Sequence, residues 1–279
     1  MTAPPARAYR RLLRTALRED LGSGDLTTTL FVPRAARVRA RVVCRKPGVI
    51  CGLEVARAAF LALDKGARVR LLTRDGRRVR AGQAVLALEG GRGLLSAERV
   101  ALNFLQRMSG VATLTRAYAD RVRGTRARIL DTRKTIPGWR ALDKYAVACG
   151  GGVNHRMGLY DAAMVKDNHR LGGGLEEGAK KLRRLHPRAP LIVECDDLAQ
   201  VERALALSPE VVLLDNMPPR LLRRAIAVVR ARAPSTLVEI SGGVSLSRVR
   251  ALARLGPDRI SVGRLTHSAP ALDIGLDLL

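Results

Sequence analysis

Apolar positions change rhythm part-way along the chain. An amphipathic stretch predicts a helix over Tyr9 to Glu19, a turn follows at Gly22-Ser23-Gly24-Asp25, and short β-like runs come next. Those runs are Val38 to Val43, Gly48 to Cys51, Val69 to Thr73 and Ala84 to Leu88, with Asp75-Gly76 and Ala81-Gly82 as turn signals that favour antiparallel pairing. A long helical stripe then begins at Ser96, with Leu102, Leu105, Val111 and Leu114 among its apolar positions, and bridges this region to the next.

After Arg126 short buried runs alternate with helical segments. Six runs stand out: Ala127 to Leu130, Ala162 to Val165, Leu191 to Val193, Val211 to Leu214, Leu237 to Ile240, and Arg259 to Val262. Helical patterns over Leu175 to Leu185, Leu198 to Leu207, Pro219 to Ala231 and Leu246 to Leu255 lie between them. This is the pattern of β/α units around a parallel sheet, and its even spacing suits a β/α barrel. A Rossmann sheet fits less well, because no GxGxxG follows the first run.

Each run ends in polar residues or glycine: Asp131-Thr132-Arg133-Lys134, Lys166-Asp167-Asn168-His169, Glu194-Cys195-Asp196-Asp197, Asp215-Asn216, Ser241-Gly242-Gly243 and Gly263-Arg264. The carboxyl ends of parallel barrel strands share one face, so these groups are expected to converge on one pocket. Arg133, Lys134, Arg156 and Lys166 would set four cations there against Glu194 and Asp215. Such a site calls for a polyanion: arginine's planar fork matches carboxylate or phosphate, and lysine supplies a mobile charge for phosphate oxygens. Ser241-Gly242-Gly243 and Ser261-Val262-Gly263 could offer backbone N–H groups to a phosphate, although either motif alone is better explained as a tight turn. His155 follows Gly150-Gly151-Gly152, which reads as backbone shaped to a ligand. Gly172-Gly173-Gly174 reads as a flexible connection.

Composition changes this picture little. With 279 residues, 47% of them hydrophobic and 27% charged, the chain has the make-up of a folded protein of one large and one smaller domain. The net charge of +25 raises the question of nucleic acid, but arginine outnumbers lysine roughly six to one, is spread along the whole chain, and only 3% of residues are aromatic. Nucleic acid is therefore not the expected partner. The four cysteines show neither CxxC nor zinc-ligand spacing and read as thiols of a reducing compartment. With no secretory h-region and no long apolar run, the expected location is the cytoplasm, away from the membrane.

Several ordered segments, taken together, resemble the quinolinate phosphoribosyltransferases, or carboxylating nicotinate-nucleotide pyrophosphorylases. They are Glu19-Asp20-Leu21-Gly22, Glu98-Arg99-Val100-Ala101-Leu102-Asn103, Ser109-Gly110-Val111-Ala112-Thr113, the stretch DTRKTIPGWRALDKYAVACGGGVNHRMGLYDAAMVKDNH from Asp131 to His169, and SVGRLTHSAPALDIGLDL ending at Leu278. Trp139, where a smaller aliphatic residue is usual, and Leu255-Gly256-Pro257-Asp258 depart from the family pattern. The resemblance implies an α/β chain with an N-terminal open-faced α/β sandwich over residues 1–110, joined by the tail 266–279. An incomplete, TIM-like β/α barrel over 111–265 completes it.

The implied reaction joins quinolinate to phosphoribosyl pyrophosphate with loss of CO2, giving nicotinate mononucleotide. By the same resemblance Arg99, Arg133, His155 and Arg156 would hold the quinolinate carboxylates, with Thr132 beside them. Lys134 and Lys166 would serve substrate and donor phosphates, and Glu194 and Asp215 the ribose and Mg2+-linked pyrophosphate. Ser241, Gly242, Gly243, Ser261 and Gly263 would take the 5′-phosphate. Lys134, Lys166, Glu194 and Asp215 are the implied catalytic groups. The family forms homodimers with shared sites, sometimes built into larger assemblies, so Arg99 would act in the neighbouring subunit. Mg2+ is expected with the donor, and no organic cofactor. The complete cationic set favours this family over the related one encoded beside molybdate transporters.

Overall fold

The computed structural model describes residues 4–170 and 174–279, so Gly172 and Gly173 lie outside the described residues. The helices are α1 (Arg10–Leu21), α2 (Leu26–Phe31), α3 (Leu53–Leu63), α4 (Gly93–Val122), α5 (Arg140–Cys149), α6 (Leu175–Leu185), α7 (Leu198–Ala206), α8 (Pro219–Arg232), α9 (Val249–Ala253) and α10 (Arg264–His267). The strands are β1 (Val38–Cys44), β2 (Gly48–Val49), β3 (Arg68–Leu71), β4 (Arg78–Val79), β5 (Ala84–Gly90), β6 (Arg128–Leu130), β7 (Ala163–Val165), β8 (Leu191–Cys195), β9 (Val211–Asp215), β10 (Leu237–Ser241), β11 (Arg259–Ser261) and β12 (Ile274–Leu278). The chain divides into two units: Met1–Arg116 with Thr135–Gly151 and Arg264–Leu279, and Ala117–Lys134 with Gly152–Gly263.

The first unit is built on an antiparallel sheet of order β12-β1-β5-β3. Along β1, Val38, Ala40 and Val42 are buried while Arg39 and Arg41 are exposed, so one sheet face carries the core and the other is open. The last strand closes the edge of this sheet by pairing Val42 with Leu276 and Ala40 with Leu278. Helix α2 is capped by Asp25, whose carboxylate accepts from the Thr28 N–H at 2.9 Å and from Ser96 Oγ at 2.7 Å. Helix α3 buries Leu53, Val55, Ala56, Ala59 and Phe60 on one face, a helical stripe in a region whose other elements read as short β-like runs.

Residues 135–151, which the sequence boundaries put with the barrel, group by contacts with the first unit. Phe104 and Trp139 stack there with ring centroids 4.8 Å apart, and the Arg107 guanidinium reaches Asp143 at 3.1 Å. Gly150 packs against α4 so closely that a Cβ would lie 2.5 Å from the Ala112 carbonyl oxygen. Gly151 has φ +90. Two of the three glycines before the His155 segment therefore answer to packing and chain reversal.

The second unit is a parallel sheet of order β6-β11-β10-β9-β8-β7, its crossovers carrying α6 to α9. Its strands are short and nearly all apolar, as strands covered on both faces are. Helix α7 starts at Asp197, whose side chain accepts from the Gln200 N–H at 2.7 Å, and α8 starts at Pro219, which loses no hydrogen bond in the first turn. The pattern over Leu246 to Leu255 is helical only at Val249–Ala253, its front end being a turn in which Ser245 Oγ accepts from the Arg248 N–H at 3.3 Å. Among the described residues, no helix is long and apolar enough to cross a membrane.

Candidate active site

The carboxyl ends of the second unit's strands enclose a cavity of about 330 Å3, lined by Thr132, Arg133, Lys134, His155, Arg156, Met164, Lys166, Glu194, Leu213, Asp215, Glu239, Ser241 and Ser261. Parallel register sets its layers. Leu213 pairs with Glu239 and Asp215 with Ser241, so Asp215 and Ser241 form a rim and Leu213 and Glu239 the layer below it. Leu213 joins Ala162, Ile192 and Val211 in the apolar cluster that supports the floor.

The His155-Arg156 segment owes its place to β6. Val153 continues the sheet beside that strand, donating its N–H to the Ile129 carbonyl at 2.8 Å and accepting from the Asp131 N–H at 3.2 Å. Asp131 is fully buried, and its carboxylate accepts the His155 N–H at 2.8 Å. The imidazole is oriented in turn: Nδ1 accepts the Arg156 N–H at 2.8 Å, and Nε2 lies 3.3 Å from Glu239 Oε1. The Arg156 guanidinium donates to the Ala162 carbonyl at 3.1 Å.

Charge in the cavity is crowded. Burial and the neighbouring Arg133 both push the Arg156 pKa down from its ordinary value, with only Asp161 acting the other way. The Arg133 Nε is buried without a hydrogen-bond partner among the described residues. Two guanidinium groups close enough to oppose each other's charge are a place for an anion with more than one acidic group. Lys166 is ion-paired with Glu194, and its backbone N–H donates to His169 Nδ1 at 3.0 Å. Lys134 is exposed at the mouth, its N–H donating to Thr132 Oγ1 at 3.1 Å.

The glycine turns lie just beyond this lining. Gly242 (φ +86) and Gly243 (φ +56) are both left-handed, and a Cβ on Gly242 would fall 2.1 Å from Asn216 Oδ1. Asn216 itself has φ 51, donates its N–H to the Ser241 carbonyl at 3.1 Å and its side-chain amide to Asp215 Oδ2 at 2.6 Å. The β9 and β10 ends are thus locked together, with Asp215 held in place. Ser261 is buried in the wall, while Gly263 follows β11 outside the lining. Arg99 is exposed on α4 in the first unit and does not line the cavity.

Glu239 lies inside its apolar run, so the rule that polar residues beyond each run form the pocket does not reach it. The signal was present inside the run: a carboxylate in Leu237-Val238-Glu239-Ile240 is a charge in the middle of a buried strand, which only a partner or ligand explains.

Comparison with known proteins bears on the whole chain. Residues 25–109 match the family model described as quinolinate phosphoribosyl transferase, N-terminal domain, and residues 111–277 match that of the C-terminal domain. A carboxylating nicotinate-nucleotide pyrophosphorylase of Mycobacterium leprae is 48% identical, with 97% of each chain covered. A probable one from Bacillus subtilis is 38% identical over 96% of this chain and 93% of its own. The solved structure of the nicotinate-nucleotide pyrophosphorylase from Francisella tularensis superposes with a TM-score of 0.93 at 35% identity, covering 99% of this chain and 97% of that one.

Proposed function

The chain belongs to the quinolinate phosphoribosyltransferase family, and from that premise we propose how its residues divide the reaction among them. The protein transfers the phosphoribosyl group of phosphoribosyl pyrophosphate to quinolinate with decarboxylation, giving nicotinate mononucleotide, pyrophosphate and CO2 in de novo NAD synthesis.

Arg133 and Arg156, beside His155 and Thr132, receive the two carboxylates of quinolinate, which relieve the mutual opposition of the guanidinium groups. That crowding of two arginines in one cavity is the observation on which the reading rests. The pyridine nitrogen is then aimed at C1 of the donor. Lys134 and Lys166 attend the phosphates, and Lys166 must share its charge between Glu194 and the donor. Ser241, Gly242 and Gly243, with Ser261 and Gly263, cradle the 5′-phosphate.

As pyrophosphate leaves, positive charge develops at C1, and Glu194 and Asp215 stabilise it electrostatically. The new bond makes the ring nitrogen cationic, so as the C2–carboxylate bond breaks and CO2 departs, its electron pair is left on C2 beside that positive charge, and C2 then takes up a proton from solvent. Glu194 and Asp215 are hard oxygen donors on the cavity wall and fit a Mg2+ held mainly through the donor's phosphates. When bound, that ion would neutralise charge on the leaving pyrophosphate.

Arg99, exposed and outside the cavity lining of its own chain, suits a role in the site of a second copy, hence a homodimer. A cytoplasmic location suits the four cysteines, all of them buried and none in a disulfide. The test is direct: purified protein with quinolinate, phosphoribosyl pyrophosphate and Mg2+ should form nicotinate mononucleotide and release CO2 in equal amounts. No product across a range of pH and salt would overturn the assignment.

A further inference from the structure

Strand β10 carries its one carboxylate, Glu239, between the apolar Val238 and Ile240. Glu239 has no exposed surface, yet it lines the cavity from the layer below Ser241, on the same side of the strand. Neither of its oxygens makes a hydrogen bond among the described residues. A buried carboxylate left in that state is strongly unfavourable, so a donor is required. Its Oε1 lies 3.3 Å from His155 Nε2, within ion-pair range but not aligned as a hydrogen bond, a contact that a small turn of either side chain converts into one.

The histidine settles which way the proton goes. Its Nδ1 accepts the Arg156 N–H at 2.8 Å, and a neutral imidazole with Nδ1 as acceptor carries its single ring hydrogen on Nε2. Nε2 is the nitrogen that faces Glu239. The donor that the carboxylate lacks and the hydrogen that the ring must place are therefore the same group.

We propose that Glu239 is a positioning residue for quinolinate binding: it accepts the His155 Nε2–H and holds the imidazole as its neutral Nε2–H tautomer, with one orientation against the cavity wall. This rests on the cavity being the quinolinate site. The positive charge that meets the two carboxylates then comes from the arginines and lysines, while His155 contributes a fixed surface against which the pyridine ring is oriented. Backbone anchoring by Asp131 and side-chain anchoring by Glu239 act on the same residue from two sides.

Nitrogen NMR of enzyme labelled with 15N-histidine reads the tautomer directly, since the chain has only 4 histidines and His155 is assigned by its loss in His155→Phe. In the unsubstituted enzyme at neutral pH, His155 should show a protonated Nε2 and a bare Nδ1. Glu239→Gln retains an acceptor oxygen and should retain that tautomer, whereas Glu239→Leu should give a mixture. Kinetically, Glu239→Leu should raise KM for quinolinate roughly tenfold with little change for the phosphoribosyl donor, and Glu239→Gln should stay within about threefold. Placed on His155→Phe, Glu239→Leu should add almost nothing.

A His155 that is doubly protonated or protonated on Nδ1 in the unsubstituted enzyme overturns the proposal, and that result needs no variant to fold. An equal kinetic loss with and without His155 overturns it too. The NMR readout is independent of turnover, so a protein inactive on quinolinate would refute the proposed function while leaving the tautomer to be read separately.

Discussion

Lys166, one residue past β7, is ion-paired with Glu194 inside β8, and both line the cavity. The side chains are 39% and 13% exposed, so the pair sits at the boundary between wall and solvent, where an anionic donor can compete for the lysine. Lys166→Ala and Glu194→Ala should each lower kcat/KM. Together they should cost less than the sum, with a coupling of about 0.5–3 kcal/mol from a double-mutant cycle. Strict additivity would mean that the two act independently in turnover.

On the proposed division of roles, Arg133→Ala and Arg156→Ala each delete a charged partner for a carboxylate, an interaction worth about 1.5–3 kcal/mol. KM for quinolinate should rise by roughly ten- to a hundredfold in each variant, with a much smaller change for the phosphoribosyl donor. Initial-rate kinetics with each substrate varied in turn checks this, and equal losses for both substrates would refute the division of roles.

Gly242→Ala should disturb the β9 and β10 ends together, because the new methyl meets Asn216 Oδ1 at 2.1 Å and the backbone has φ +86. A loss of about 1–3 kcal/mol in chemical denaturation is expected, with a raised KM for the donor. Gly243→Ala is the comparison: φ is +56, but its Cβ meets nothing closer than Arg248 Nη1 at 3.9 Å, so the loss should be smaller.

Asp258 ties the barrel strands to α8. Its Oδ2 accepts from the Val238 N–H and the Arg230 guanidinium, each at 2.7 Å, and Arg126 pairs with Oδ1 at 2.7 Å. Burial alone would raise its pKa, but the Val238 bond and the two arginines hold it below the ordinary 3.8. The contribution of a depressed carboxyl is present above the unfolded value and lost as pH falls through the folded one. Asp258→Asn should therefore be less stable at neutral pH, and the gap should narrow as pH drops below 3.8. Denaturant midpoints measured across acid pH test the sign, and a gap that widened on acidification would contradict it.

If Arg99 works in a second copy's site, mixing inactive Arg99→Ala and Arg133→Ala chains should restore up to about a quarter of normal activity, since only one site in the mixed dimer is intact. Rescue should follow subunit exchange, measured with tagged chains. Exchange without rescue would place Arg99 elsewhere in the mechanism.

Much of this site could be read without coordinates because β/α units obey a simple rule: polar residues following short apolar runs collect at one end of a parallel sheet. Thr132, Arg133, Lys134, Lys166, Glu194, Asp215, Ser241 and Ser261 follow that rule or end such a run, and the cavity is lined by them. Helix α6 likewise matches its pattern at both ends, its exposed faces being polar and its apolar stripe narrow. Tertiary structure alone decided features with no local period. A bridge to β6 carried His155 and Arg156 to the wall where Glu239 lies. Close packing on α4 accounts for Gly150, which in the sequence looked like part of a ligand loop. The physical reason is common to these cases. Periodicity reports which side of an element is apolar, whereas the partner of a buried charge or of a bare glycine backbone is set by what another part of the chain brings within a few ångströms.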